Sequence, residues 1–161
     1  MADPLSVVAS LLAIATAGVQ STQSLKGAVE RYKTRGTTLR RLLEEAGDAE
    51  RVLAALRDLL AASMARPALD VNTSIATLLR EPIERCSEVC QKFEIAMGQF
   101  SKKANTSFLD WAKMEFMRGD INQFLDTLAG YKATISVGLG VLTMCVLFHC
   151  FRPLTALYVR L

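Results

Sequence analysis

Two nearly uncharged stretches bracket this chain, and any fold it adopts must take them out of water or pack them against something. Residues 1–24 carry Asp3 as their only charge, and residues 133–161 carry only Arg152 and Arg160. The remainder of the 19 basic and 16 acidic residues lies in the segment between them. The result is a polar body flanked by two apolar ends. With 51% apolar residues in 161 and a mean hydropathy of +0.25, the chain has material for a core and is not a disordered one. Its length is that of a single domain.

The body is patterned for helices. Asp3-Pro4 is a good helix start, with Asp as N-cap and Pro at the first helical position, where a missing N–H costs nothing. From Leu5 to Val19 only Ser6, Ser10 and Thr16 interrupt an apolar run, so this helix is apolar nearly all round and is expected to reach Lys33-Thr34. Leu39, Leu42, Ala46, Ala49, Leu53, Leu56 and Leu60 then repeat at strict 3-4 spacing, with charges on the opposite face. A seam this short packs inside an antiparallel bundle rather than forming a free coiled coil. After a break at Arg66-Pro67, helical signal resumes at Thr73. Pro82 either kinks that helix or opens a new one, and Ile83, Cys86, Cys90, Phe93 and Met97 continue an apolar face. A loop is predicted over Lys102–Ser107, and helices over Phe108–Phe116 and Ile121–Tyr131, punctuated by Gly119-Asp120. Nothing alternates with period two for long enough to argue a strand. The predicted class is all-α, an antiparallel bundle of four to six helices with an apolar N-terminal helix and an apolar C-terminal tail. Its core is expected to include Leu12, Leu42, Leu53, Leu56, Cys90, Phe93, Trp111, Phe124 and Leu128.

The apolar ends raise the targeting question. The first twenty residues could pass for a signal peptide, since Ala13-Ile14-Ala15 and Ala15-Thr16-Ala17 look like cleavage sites, but the segment holds Asp3 and no Lys or Arg, which argues against it. Ala133–Phe151 lacks Asp, Glu, Lys and Arg, and as a helix it would measure about 28 Å, close to a bilayer's hydrocarbon core. Gly138, Gly140, Thr134, Ser136, Thr143 and His149 dilute it. The segment is therefore either a membrane span or the last helix of the bundle, with Arg152-Pro153 expected to interrupt any helix there.

Little in the sequence carries reaction chemistry. Cys86 and Cys90 share a helix face, and Cys145, His149 and Cys150 cluster later, but the spacing is not that of a zinc site and buried thiols behave as small hydrophobes. His149 is the only histidine and lies within the apolar tail, which leaves no Ser-His or Cys-His pair in the body. Gly138-Leu139-Gly140 lacks the following lysine and preceding strand of a phosphate loop. No catalytic, metal or cofactor site is assigned, and the protein is not expected to be an enzyme. Arg31, Lys33, Arg35, Arg40 and Arg41 place five positive charges in eleven residues with no acid between them. They form either a solvated loop or a patch for anionic lipid headgroups, worth up to about 1 kcal/mol per charge near such a surface. A net charge of +3 with only Tyr32 beside these cations argues against nucleic acid.

Two blocks carry a family resemblance. The start Met1-Ala2-Asp3-Pro4-Leu5-Ser6-Val7-Val8-Ala9-Ser10 is one. The other runs from Trp111-Ala112-Lys113 to Val141 and contains Gly119-Asp120-Ile121-Asn122 and Gly130-Tyr131-Lys132-Ala133-Thr134-Ile135-Ser136. Together they resemble the fungal HeLo-like N-terminal domain of NACHT/STAND (NLR-like) proteins, also named for azaphilone pigment cluster protein L. The resemblance covers residues 1–143. Residues 144–161, beginning Met144-Cys145-Val146-Leu147-Phe148, depart from it and are taken as an apolar tail of uncertain origin, such as truncation or mis-splicing would leave. The resemblance implies a non-enzymatic helical signalling domain that acts at membranes in programmed cell death or heterokaryon incompatibility. Its membrane contact would fall on the first helix through Leu5, Val8, Leu12 and Val19, and no catalytic residues come with it.

Three functions therefore compete. They are a membrane-acting effector, a scaffold that self-associates or binds homologous helical domains without touching lipid, and a small membrane protein anchored by residues 133–151. A cytoplasmic location, peripheral to or anchored in a membrane, is expected, with an anionic membrane surface among the candidate partners.

Overall fold

Proline opens the first helix, as the N-terminal sequence predicts. In the computed structural model of the protein, α1 spans Pro4–Glu30, α2 Thr37–Ala65, α3 Thr73–Phe100 and α4 Ile121–Tyr158. The structure describes residues 4–31, 37–65, 73–100 and 121–158, the side chains of residues 4, 99–100 and 149–158 excepted. Trp111, the predicted loop 102–107, the predicted helix 108–116 and the Gly119-Asp120 punctuation lie outside the described residues, as does the expected end of the first helix at Lys33-Thr34.

The helices run alternately up and down. Ser21 lies beside Ser87 and Ser24 beside Glu94, so α1 and α3 are parallel neighbours. Arg41 pairs with Asp126 and Glu45 with Lys132, so α2 and α4 are parallel as well. Phe93 stacks on Phe124 with ring centroids 4.5 Å apart, and Leu79 meets Gly138, which makes α3 and α4 antiparallel. α1 packs on α2 and α3, and α4 packs on the same two, which places α1 and α4 on a diagonal of the bundle. The predicted antiparallel bundle is the observed one.

The core follows the sequence pattern. Leu39, Leu42, Leu53, Leu56 and Leu60 are buried on α2, and Ile83, Cys86, Cys90, Phe93 and Met97 on α3. Phe124 and Leu128 are fully enclosed on α4, and Leu12 is half-buried at the edge of the core. Ion pairs fasten α2 to both of its neighbours. Lys26 donates to Glu50 at 2.6 Å with Gln23 adding a bond at 2.8 Å, and Lys132 reaches Glu45 at 2.7 Å and Asp48 at 3.3 Å. Between α1 and α3 a polar seam takes this role: the hydroxyls of Ser21 and Ser87 are 2.7 Å apart, and Gln91 donates to Ser21 at 3.1 Å.

Two helices are longer than the sequence suggests. α3 passes through Pro82 unbroken, neither restarting nor ending there. The proline leaves one carbonyl a turn earlier without its N–H partner, near Leu78, which is exposed and so lies on the water side of the bundle. α4 is not a short helix ending at Tyr131, and Arg152-Pro153 does not stop it: one helix of 38 residues, about 57 Å, continues to Tyr158. A proline costs a helix roughly 3 kcal/mol, which the many residues on either side offset. The pairing of Leu79 with Gly138 sets the register of α3 against α4, and α3 begins at Thr73. The last turns of α4 therefore outrun the end of α3.

Glycine matters at one place above all. A Cβ at Gly138 would sit 2.8 Å from Leu79 Cγ, closer than such atoms approach, whereas nothing lies within 4 Å of a Cβ at Gly140. Gly138→Ala should thus destabilise the bundle by about 1–3 kcal/mol through overpacking. Gly140→Ala should be neutral or stabilising by up to about 1 kcal/mol through helix propensity. Urea denaturation of the two variants checks the contrast. Leu53→Ala should cost about 2–5 kcal/mol in the same assay, because its side chain is wholly enclosed.

Glu50 gives the bundle a pH-dependent component. Its hydrogen bonds from Lys26 and then Gln23 hold the carboxyl below the usual glutamate range. A lowered folded value means this stabilisation is fully present above the ordinary glutamate range and disappears as pH falls through the depressed value. Urea midpoints followed from neutral to acid pH should show a fall in that window that Glu50→Gln reduces. At neutral pH the variant should lose about 1 kcal/mol or less.

Candidate membrane-contact surface

The two apolar ends of the chain meet water very differently. Along α1 the core takes Val8, Leu11, Ala15 and Val19. The outward face is left with small or polar residues: Ser6, Ala9, Ser10, Ala13, Ala17 and Gln20 are exposed. Of the four membrane-contact residues chosen on α1, Val8 and Val19 are therefore buried, Leu12 is half-buried, and Leu5 alone is open to solvent at 57%. The strip Ala9, Ala13 and Ala17, suited by size to burial, faces outward.

The C-terminal half of α4 shows the reverse. Ile135, Leu142 and Val146 face the core. On the opposite side Val137, Val141, Met144 and Phe148 recur at 4-3-4 spacing, all exposed, with Val137 at 69% and Phe148 at 70%, and Leu147 is exposed beside them. The N-terminal half of the same outward face is polar, with Asn122, Gln123 and Asp126. Leu78 on α3, 74% exposed, lies at the level of Gly138, and Met64 is exposed at the end of α2. Leu5, Met64, Leu78 and the α4 stripe therefore belong to one pole of the bundle, where α1 and α3 begin and α2 ends.

The basic residues lie at the other pole. Arg31 follows the last residue of α1, and Arg40 and Arg41 lie near the start of α2; all three are exposed. Lys33 and Arg35, the other two members of the basic cluster, lie outside the described residues. Leu5 and Arg31 are separated by about 39 Å of helix. Arg41, level with Asp126 through their ion pair, is about 22 Å along the bundle from Val141. Both distances exceed the roughly 8 Å over which charge is felt in physiological salt. The two candidate sets, apolar and basic, do not form one surface.

The α4 stripe is the part that sequence reasoning left unresolved. Ala133–Phe151 stood out as a uniform segment, but its individual outward residues did not. Their 4-3-4 spacing, set half a turn away from Ile135 and Leu142, is the signal that separates them. By length and composition two helices could cross a membrane, Leu5–Glu30 and Ile121–Phe148; 39% of the apolar window is buried in the first and 17% in the second.

The cysteines offer no comparable site. The Cys86 and Cys90 thiols hydrogen-bond each other in the core, and that bond, with burial adding to it, pushes Cys90 up. Among the described residues no three His, Cys, Asp or Glu side chains converge as metal ligands; the side chains of His149 and Cys150 lie outside them.

A family model described as "Pigment biosynthesis cluster protein PigL N-terminal" matches residues 2–148. The matched stretch takes in α1, α2 and α3 whole and α4 as far as Phe148, the end of its outward stripe. No curated protein and no solved structure matches the chain.

Proposed function

This chain belongs to the fungal family of pigment biosynthesis cluster protein L N-terminal domains, which are HeLo-like helical domains, and on that basis we propose that it is a non-enzymatic signalling domain that acts at membranes. Programmed cell death or heterokaryon incompatibility is the setting that the resemblance implies. The observation that supports membrane action best is the exposed apolar stripe Val137, Val141, Met144 and Phe148 on a helix whose other face is packed in the bundle. Exposed apolar area of this kind on a folded domain marks an interaction surface.

Lipid contact on this reading belongs to α4 rather than α1. α1 would have to leave the bundle to present Val8 and Val19, forfeiting several buried aliphatic side chains at about 1.5–3 kcal/mol each. α4 presents its stripe without any such rearrangement. Polar Asn122, Gln123 and Asp126 keep the first half of α4 in water, so the helix enters the bilayer by its C-terminal half and the basic pole points away. Anionic headgroups then add little, because Arg31, Arg40 and Arg41 lie several screening lengths from the contact.

Co-sedimentation of the full chain with vesicles tests this. Val141→Asp with Met144→Asp should leave the circular dichroism unchanged, both sites being exposed, and should weaken vesicle binding at least tenfold. An aspartate deep in hydrocarbon costs roughly 3 kcal/mol. Arg40→Ser with Arg41→Ser should change binding less than twofold, and neutral vesicles should serve about as well as anionic ones. Unaltered binding by the folded aspartate variant would refute the membrane role of α4. Self-association that this variant abolishes, without vesicle binding by the parent, would show the same stripe serving a scaffold instead.

A further inference from the structure

α1 and α3 run side by side but do not close along their whole length. At Gly18 they fit closely, since a Cβ there would be 3.4 Å from Ile83. Further along, the Ser21–Ser87–Gln91 bonds tie the pair together. Toward the helix starts, small residues face one another, with Ser6 and Ser10 on α1 and Ala76 and Thr77 on α3. They leave a cleft of about 310 Å³. That volume is within the range of small-molecule sites, roughly 300–1,000 Å³.

The lining is divided by chemistry. Val7, Leu11 and Ala76 supply an apolar floor, Leu11 and Ala76 being buried and Val7 half-buried. Ser6, Ser10 and Thr77 stand exposed at the rim, and among the described residues that line it Arg80 carries the charge. The Arg80 Nε donates to Glu84 at 3.0 Å, a bond that fixes the guanidinium plane and leaves its terminal N–H groups available to a second acceptor. The Thr77 hydroxyl donates to the Thr73 carbonyl at 2.8 Å and so can only accept from an occupant. The guanidinium is paired with Glu84 through Nε alone, and its remaining N–H groups beside a hydrocarbon floor suit an anion that carries a short alkyl chain.

We propose that this cleft binds a single-chain anionic amphiphile, its acidic group on Arg80 and its hydrocarbon on Val7, Leu11 and Ala76. The site is separate from the α4 stripe and does not depend on the membrane reading. The occupant can reach the cleft as a free carboxylate in solution or as an acidic lipid from a bilayer, and both present the same chemistry.

The test titrates the full chain with decanoate below its micelle concentration, with decanol as the uncharged control, following heat by calorimetry and the melting temperature. Decanoate should bind at one site and raise the melting temperature, and decanol should bind at least tenfold more weakly. Arg80→Gln should weaken decanoate about tenfold, the usual consequence of losing a charge-assisted hydrogen bond. Ser10→Leu, at an exposed position that fills the cleft, should abolish binding while circular dichroism stays that of the parent. A second arm uses vesicles containing a minor fraction of oleic acid. Extraction of the acid by the parent but not by Ser10→Leu assigns a bilayer source, and decanoate binding without extraction assigns a soluble one. Absence of decanoate binding, equal binding of decanol, or unchanged binding by Arg80→Gln and Ser10→Leu would overturn the proposal.

Discussion

Everything outward about α4 depends on how closely its inner face can approach α3. Gly138 has no side chain, and Leu79 occupies the space that one would need. That contact, with Phe93 stacked on Phe124 about four turns away, locks the rotation of α4 about its own axis. Once the rotation is set, Ile135, Leu142 and Val146 must point inward and Val137, Val141, Met144 and Phe148 must point outward. A segment that composition marks as a uniform apolar run is thereby divided into a packed face and a free one. Lys132, held by Glu45 and Asp48 on α2, marks the end of the polar half.

How much of this was legible in the sequence follows from how sharply each helix is patterned. α2 and the later part of α3 alternate apolar and charged residues at helical spacing, so only one rotation buries the right side. Leu42, Leu53, Leu56, Cys90 and Phe93 accordingly lie where the pattern places them. α1 and the far half of α4 are apolar around the whole circumference, and such a helix carries no phase. Its orientation is decided by partners distant in sequence, Ser87 and Gln91 for α1 and Leu79 for α4. For that reason the candidate contacts on α1 were drawn partly from side chains that the core had taken, Val8 and Val19, while those on α4 remained hidden within a run. The helices also continue through both prolines, at Pro82 as one of the two outcomes the sequence leaves open and at Pro153 against a strong local stop signal.

The bundle is also polarised from end to end. Arg31, Arg40 and Arg41 stand at one pole, and Leu5, Met64, Leu78 and the α4 stripe at the other. The chain order conceals this, because one helix joins Leu5 near its start to Arg31 just past its end, at opposite poles. A charge cluster and an apolar cluster that seem to cooperate in the sequence are thus separated by the length of the helix that joins them. The HeLo-like family to which the chain belongs supplies the helical framework, and the proposed direction of approach to a bilayer rests on the polarity of that framework.

The most direct measurement of that direction is depth-dependent fluorescence quenching in vesicles whose acyl chains carry bromine. An environment-sensitive probe would be placed at Met144 in one preparation and at Arg40 in another. Immersion of the apolar pole requires strong quenching at 144 and none at 40, with the same result in neutral and anionic lipid. Quenching at 40 comparable to that at 144, or quenching at neither position while the protein remains bound to vesicles, would contradict it.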